Sequence, residues 1–156
     1  MSFEDFFNSR MGVMTVLGGY IKAVIEDQGL EKALEYNIRA AEIDAELITK
    51  DLASPDKYIT PQDAKVILES HKTSGIKSTI EIVGNEVINN NRRCVYYDGW
   101  LAAGLEPEVI ERLCRDRFTL GGEKVWKILN PSIETELRQF KDHPEGLCVE
   151  VIKFKE

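Results

Sequence analysis

Three cysteines, Cys94, Cys114 and Cys148, are the side chains in this sequence with the widest choice of chemistry. A thiol can attack as a thiolate, ligate a soft metal, or fill a core as a small apolar group. Their separations of 20 and 34 residues match no zinc ribbon or finger, which take ligands from close pairs on tight turns. An odd, widely spaced set also makes no disulfide framework. Spacing puts Cys114 on one helical face with Ile110 and Phe118, the pattern of a core residue, whereas Asp116 two positions on points elsewhere. Cys148 alternates with Leu147 and Val149, so it shares a strand face with Glu150, Ile152 and Phe154. That face is a second packing surface or the lining of a pocket. Cys94 closes a strand just before Tyr96-Tyr97-Asp98-Gly99-Trp100, an aromatic-rich segment that would either stack on a flat ligand or seal the edge of a sheet.

Other sources of chemistry are thin. His71 and His143 stand alone near the ends of elements and are expected to face solvent. The pairs Gly18-Gly19 and Gly121-Gly122 lack the spacing and the preceding strand of a phosphate loop. Neither G-x-S-x-G nor H-E-x-x-H occurs.

The elements that must position these residues change character near residue 76. Before it the chain reads as helix. Phe7, Met14, Ile21 and Phe3, Leu17, Val24 recur at seven-residue multiples, giving a helix from about Phe3 to Asp27. Gly18-Gly19 inside it costs about 1 kcal/mol per glycine against alanine, which predicts close backbone packing or a kink. Leu34, Ile38, Ala41, Ala45, Ile48 and Leu52 then form an a/d seam, suited to the first helix or to a second subunit, and Ser54-Pro55 ends it. Thr60-Pro61-Gln62-Asp63 has the chemistry of a helix start, and Gly75 that of a helix end.

After residue 76 the alternation of Ile80 and Ile82, the turn residues Gly84-Asn85 and the run from Val87 to Cys94 predict a hairpin. Helical segments follow, from Asp98 to Ala103, from Val109 to Phe118 and from Glu123 to Leu129, with Gly121-Gly122 as an interruption and Asn130-Pro131 as a stop. Ile133, Thr135, Leu137 and then Leu147, Val149, Val151 make a second hairpin around Asp142 to Gly146. The expected fold is therefore α+β, as one domain over 1–156. Its helical half, residues 1–75, packs on a four-stranded antiparallel sheet of two hairpins joined by helices, residues 76–156.

Composition sets the outer bounds. The chain has 156 residues, is 43% hydrophobic and 30% charged, and carries a formal charge of −7. That balance suits a globular domain with a sizeable core. The negative charge argues against nucleic acid as a partner, since the basic spots at Arg92-Arg93 and at Arg112, Arg115 and Arg117 are small or offset by acidic neighbours. No apolar run is long enough to span a bilayer, and the N-terminal residues lack the features of a signal peptide, so no membrane partner and a cytoplasmic location are expected.

The stretch Cys94-Val95-Tyr96-Tyr97-Asp98-Gly99-Trp100, the break Ala103-Gly104-Leu105, Leu113-Cys114-Arg115-Asp116, Asn130-Pro131 and Glu145-Gly146-Leu147-Cys148 together resemble the L-2-amino-thiazoline-4-carboxylic acid hydrolase family. More distantly they are similar to ligand-binding domains related to bacteriochlorophyll four-vinyl reductase. The sequence departs from the first pattern at Val95, where a proline often stands, and in the Pro-Glu-Gly of its late turn. The resemblance implies that Cys94, Cys114, Asp116 and Cys148 meet around one pocket. It also implies hydrolytic opening of a cyclic, sulfur-containing amidine. Asp116 or Asp98 would then be the base, a cysteine could attack as thiolate, or three thiols could hold a zinc ion. Arg93 or Arg115 would pair with a substrate carboxylate, and Tyr96, Tyr97 and Trp100 would flank the ligand. The rival reading is a non-enzymatic sensor whose pocket takes a small apolar ligand, a tetrapyrrole or a metal, in a protein that could dimerise through its N-terminal helices.

Overall fold

The computed structural model describes residues 2–50, 52, 57–70 and 75–155. His71 and Ser54-Pro55 lie outside the described residues. Helix α1 (Phe3–Gln28) starts at a reciprocal cap in which Ser2 Oγ accepts from the Asp5 amide and the Asp5 carboxylate accepts from the Ser2 amide. It runs unbroken through the glycine pair. Gly18 explains half of that pair: a Cβ there would lie 2.7 Å from Ala103 Cβ, so only glycine lets α1 close on helix α4 (Val95–Ala102). Gly99 of α4 returns the contact, because its Cβ would lie 2.5 Å from Met14 Cβ. Gly19 faces open space.

Helix α2 (Leu30–Thr49) follows Gly29 directly. Its expected seam is spent mostly inside the chain. Leu34 joins Tyr97, Trp100, Leu105, Ile110 and Leu113 in one buried cluster, and Ala41 and Ala45 are buried too. Ile48 and Leu52, at the far end of the seam, stay about half exposed, at 45% each. Helix α3 (Pro61–Ser70) begins as the sequence predicts, with the Thr60 amide and hydroxyl donating to Asp63 Oδ2 and the Asp63 amide donating to Thr60 Oγ1.

Strands β1 (Ile76–Val83) and β2 (Glu86–Cys94) are joined by the two-residue turn Gly84–Asn85, where Gly84 has φ 61°. A positive φ at the first turn position is what glycine supplies most easily. Strands β3 (Ile133–Gln139) and β4 (Cys148–Phe154) form the second hairpin, and β4 pairs with β2 to give the antiparallel order β1-β2-β4-β3. Asn85 ties the first turn to the end of β4, donating from Nδ2 to the Phe154 carbonyl at 2.8 Å and accepting the Phe154 amide at 2.9 Å. The expectation of an α+β fold with two hairpins joined by helices is met.

Directly paired residues share a face. The register Val87↔Ile152 and Ile133↔Phe154 therefore marks the inner face, and these four pack with Ala64 and Leu68 of α3 and with Trp126 and Leu129 of helix α6 (Glu123–Leu129). Helix α5 (Pro107–Asp116) precedes α6. The break expected at Gly121-Gly122 is absent. Residues Arg117–Gly122 form a π-helical segment that carries α5 into α6 without interruption. Helix α2 gives the reason: a Cβ on Gly121 would lie 2.3 Å from Ala41 Cβ, so the glycine lets two backbones approach rather than ending a helix. Among the described residues no helix is long and apolar enough to cross a membrane.

Candidate functional site

A cavity of about 290 Å³ lies against the second buried cluster, whose Tyr97 and Trp100 line it. Its walls come from both halves of the chain: α2 supplies Ala41, Asp44 and Ile48, α4 supplies Tyr96, Tyr97 and Trp100, and the sheet supplies Asn91, Cys148 and Glu150. The π-helical segment contributes Arg117, Phe118 and Gly122. A wider helical turn shifts side chains relative to a regular helix and occurs often at functional sites.

The cavity brings together six of the residues singled out from sequence. Cys94, Cys114 and Cys148 all line it, as do Tyr96, Tyr97 and Trp100. Cys114 is thus no plain core residue, since it packs beside the second cluster and also faces the cavity. The strand face carrying Cys148 and Glu150 is pocket wall at that end and core at the Ile152–Phe154 end.

The four charged candidates lie elsewhere. Asp116 sits two residues beyond Cys114 on a helix that continues, so it does not reach the cavity wall. Asp98 also stands off the wall; its Oδ2 is 4.0 Å from Arg93, its Oδ1 has no hydrogen-bond donor among the described residues, and burial pushes its carboxyl up while Lys141 and Arg93 pull it down. Arg93 pairs with Glu4 at 3.1 Å and lies over the Phe7 ring, which fastens α1 to the end of β2. Arg115 donates from Nε to Glu111 at 2.8 Å and from Nη1 to the Leu137 carbonyl at 2.9 Å, so both ends of its fork are engaged in holding α5 to β3. None of the four is placed to touch a ligand in this cavity. His143, as expected, is exposed, with Nδ1 against Asp142.

The thiols are poorly suited to attack. Burial pushes Cys94 up to about 11, against the pull of the Tyr97 and Tyr96 amides. Burial raises Cys114 well above its ordinary value, with the neighbouring Cys94 and Cys148 adding to the effect. Cys148 is raised by burial as well, although the Lys141 amide donates to its Sγ at 3.4 Å. At neutral pH all three are protonated thiols rather than thiolates. Among the described residues no group of three or more His, Cys, Asp or Glu side chains is arranged to hold a metal ion. The donor set does not fit zinc.

Glu150 and the asparagines of β2 carry the polar end of the cavity. Glu150 Oε2 accepts from Asn89 Nδ2 at 2.9 Å, and Asn91 stands beside it on β2. Burial pushes the Glu150 carboxyl up, partly offset by Asn91 and Asn89, and no cation among the described residues assists them. Asn89 Oδ1 and Asn91 Oδ1 have no donor among the described residues, although the side chains are 6% and 3% exposed. Such orphaned acceptors cost about 1–3 kcal/mol each unless something supplies a donor. Arg117 is the cavity's cation, and it is already taken, bonded to Asp44 at 2.7 Å and lying over the Tyr96 ring.

Sequence reasoning placed Glu150 on the right strand face without giving it a role, and missed Asn91. The signal was present in the alternation of β2 and β4, where Asn89, Asn91 and Glu150 interrupt a face that otherwise holds Val87, Ile152 and Phe154. A search of family models, of curated proteins and of solved structures finds no match to this chain.

Proposed function

We propose that this is a small-molecule-binding protein of the α+β class. More specifically, it is a non-enzymatic sensor or carrier domain whose ligand fills the cavity lined by Tyr96, Trp100 and the three cysteines. The observation that carries this reading is the wall itself. It is built mostly of aromatic and aliphatic side chains with three protonated thiols, its Asp44 is paired with Arg117, and Asp98 and Asp116 stand off it. A mostly apolar cleft with a few polar groups is the usual form of a ligand pocket. Its volume lies near the bottom of the range for such pockets, roughly 300–1,000 Å³, which suits one or two rings far better than a tetrapyrrole. Calorimetric titration with 2-phenylethanol tests the reading. Saturable binding at one site per chain is expected, and Val125→Phe, which fills the cavity from α6, should weaken it at least tenfold. Equal binding to both proteins would place the ligand elsewhere and sink the reading.

Glu150 favours a second reading, hydrolysis of a cyclic amidine of the L-2-amino-thiazoline-4-carboxylate type. A buried carboxyl with a raised pKa inside a pocket is a candidate general acid or base. In that reading Glu150 takes the proton of an attacking water, the role first assigned to Asp116 or Asp98. Turnover of that amidine by the native chain but not by Glu150→Gln would support it, and no turnover by either would remove it.

A further inference from the structure

Hydrogen-bond acceptors outnumber donors at the sheet end of the cavity, and this imbalance specifies a ligand. Resting on the binding reading above, we propose that the ligand is a small aromatic amine, whose ammonium group sits against Glu150 and Asn91 and whose ring lies among Tyr96, Trp100 and Phe118. Each element of that description answers an observation. The Asn89 side-chain amide is spent on Glu150, and Asn91 Oδ1 has no donor among the described residues in a side chain only 3% exposed. A primary ammonium brings three N–H donors and no acceptor. It would serve Glu150 and the Asn91 carbonyl together.

Charge points the same way. Among the described residues no cation lies against Glu150, so an ionised carboxylate there has no counter-charge among them until a ligand brings one. An anionic ligand would face that carboxylate and would find Arg117 already bonded to Asp44 at 2.7 Å. Apart from the Asp44–Arg117 pair and the Trp100 indole N–H, the rest of the wall offers mainly apolar faces. Tyr96 and Trp100 meet edge to face with ring centroids 5.9 Å apart, and Tyr97 and Phe140 lie 5.8 Å apart. Such rings bury a flat aromatic body and attract a nearby cation through their quadrupoles.

The test uses three ligands of one shape on the full chain at pH 7: 2-phenylethylamine, 2-phenylethanol and 3-phenylpropionate, titrated calorimetrically. The amine should bind at least tenfold more tightly than the alcohol, and the acid more weakly than either. In Glu150→Gln the amine should lose at least tenfold while the alcohol changes less than threefold. Asn91→Leu provides a second variant with a smaller loss for the amine. If the alcohol binds the native protein but the amine has no advantage, this inference falls and the pocket reading stands. If none of the three binds, both fall. Equal or tighter binding of the acid overturns the charge assignment outright.

Discussion

The two faces of the sheet treat charge in opposite ways. On the outer face Glu86, Glu136, Arg138 and Lys153 meet in water as a small ion-pair network, with Lys153 Nζ 2.7 Å from Glu136 and Arg138 Nη2 3.1 Å from Glu86. On the inner face Glu150, three residues before Lys153 on β4, has the Asn89 amide and, among the described residues, no cation. The outer pairs cover a strand and are worth little, about 0–1 kcal/mol for an exposed pair. The inner carboxyl costs stability, because desolvation disfavours its charged form and no cation among the described residues neutralises it. A fold that needed only a core would place a residue like Ile152 there. The difference suggests that the outer charges serve the sheet and that the inner one serves a ligand.

Removing the aromatic wall should break this contrast most severely. Trp100 is 1% exposed and packs against Gly18 across α1. Trp100→Ala should cost about 3–5 kcal/mol of unfolding free energy in urea denaturation. A loss below about 1 kcal/mol would mean that the second core does not depend on it.

The thiols sharpen the contrast between a binding pocket and a reactive one. With Cys94 near 11, its thiolate fraction at pH 8 is small, and iodoacetamide should alkylate it roughly 100-fold more slowly than an ordinary exposed thiol. Mass spectrometry of digests over a time course reads the rate at each cysteine. Rapid labelling of Cys94 in the folded chain would contradict the protonated pocket and favour nucleophilic chemistry.

Glu150 itself makes a pH prediction. Its pKa is raised in the folded state, so its contribution to stability is fully present below the unfolded value, near 4.5, and is lost as pH rises through the higher folded value. Glu150→Gln removes that titration. The melting temperature of the variant relative to the native protein should therefore rise between pH 4 and neutrality. A difference that stays constant with pH would show that Glu150 carries no such penalty. The smallest effect belongs to the outer face, where Lys153→Ala should change stability by less than about 1 kcal/mol and the change should shrink at high salt. A loss of several kcal/mol in that measurement would erase the distinction between the two faces.

Much of the fold was legible because its signals are local. The cap at Thr60–Asp63, the turn at Gly84–Asn85 and the alternation along β4 each depend on neighbours a few residues away. The glycine pairs were only half legible, since Gly18 and Gly121 answer to Trp100, Ala103 and Ala41 on other elements. The convergence of Cys94, Cys114 and Cys148 followed from a resemblance and not from spacing, because three different elements deliver them. Asp98, Asp116, Arg93 and Arg115 looked suited to chemistry by type. In the folded chain Arg93 and Arg115 spend their charge fastening elements together, and the two aspartates stand off the cavity. Glu150 was visible as a charge on an apolar strand face, and only the depth of the cavity beneath α2 gives it meaning.

The most direct measurement is a map of amide chemical shifts in ¹⁵N-labelled protein titrated with 2-phenylethanol. The account predicts that the largest shifts fall at Cys94, Tyr96, Cys114 and Cys148, residues far apart in sequence that share only the cavity wall. Shifts confined instead to the exposed apolar residues Val13, Val16 and Tyr20 of α1, with the cavity residues unmoved, would contradict it.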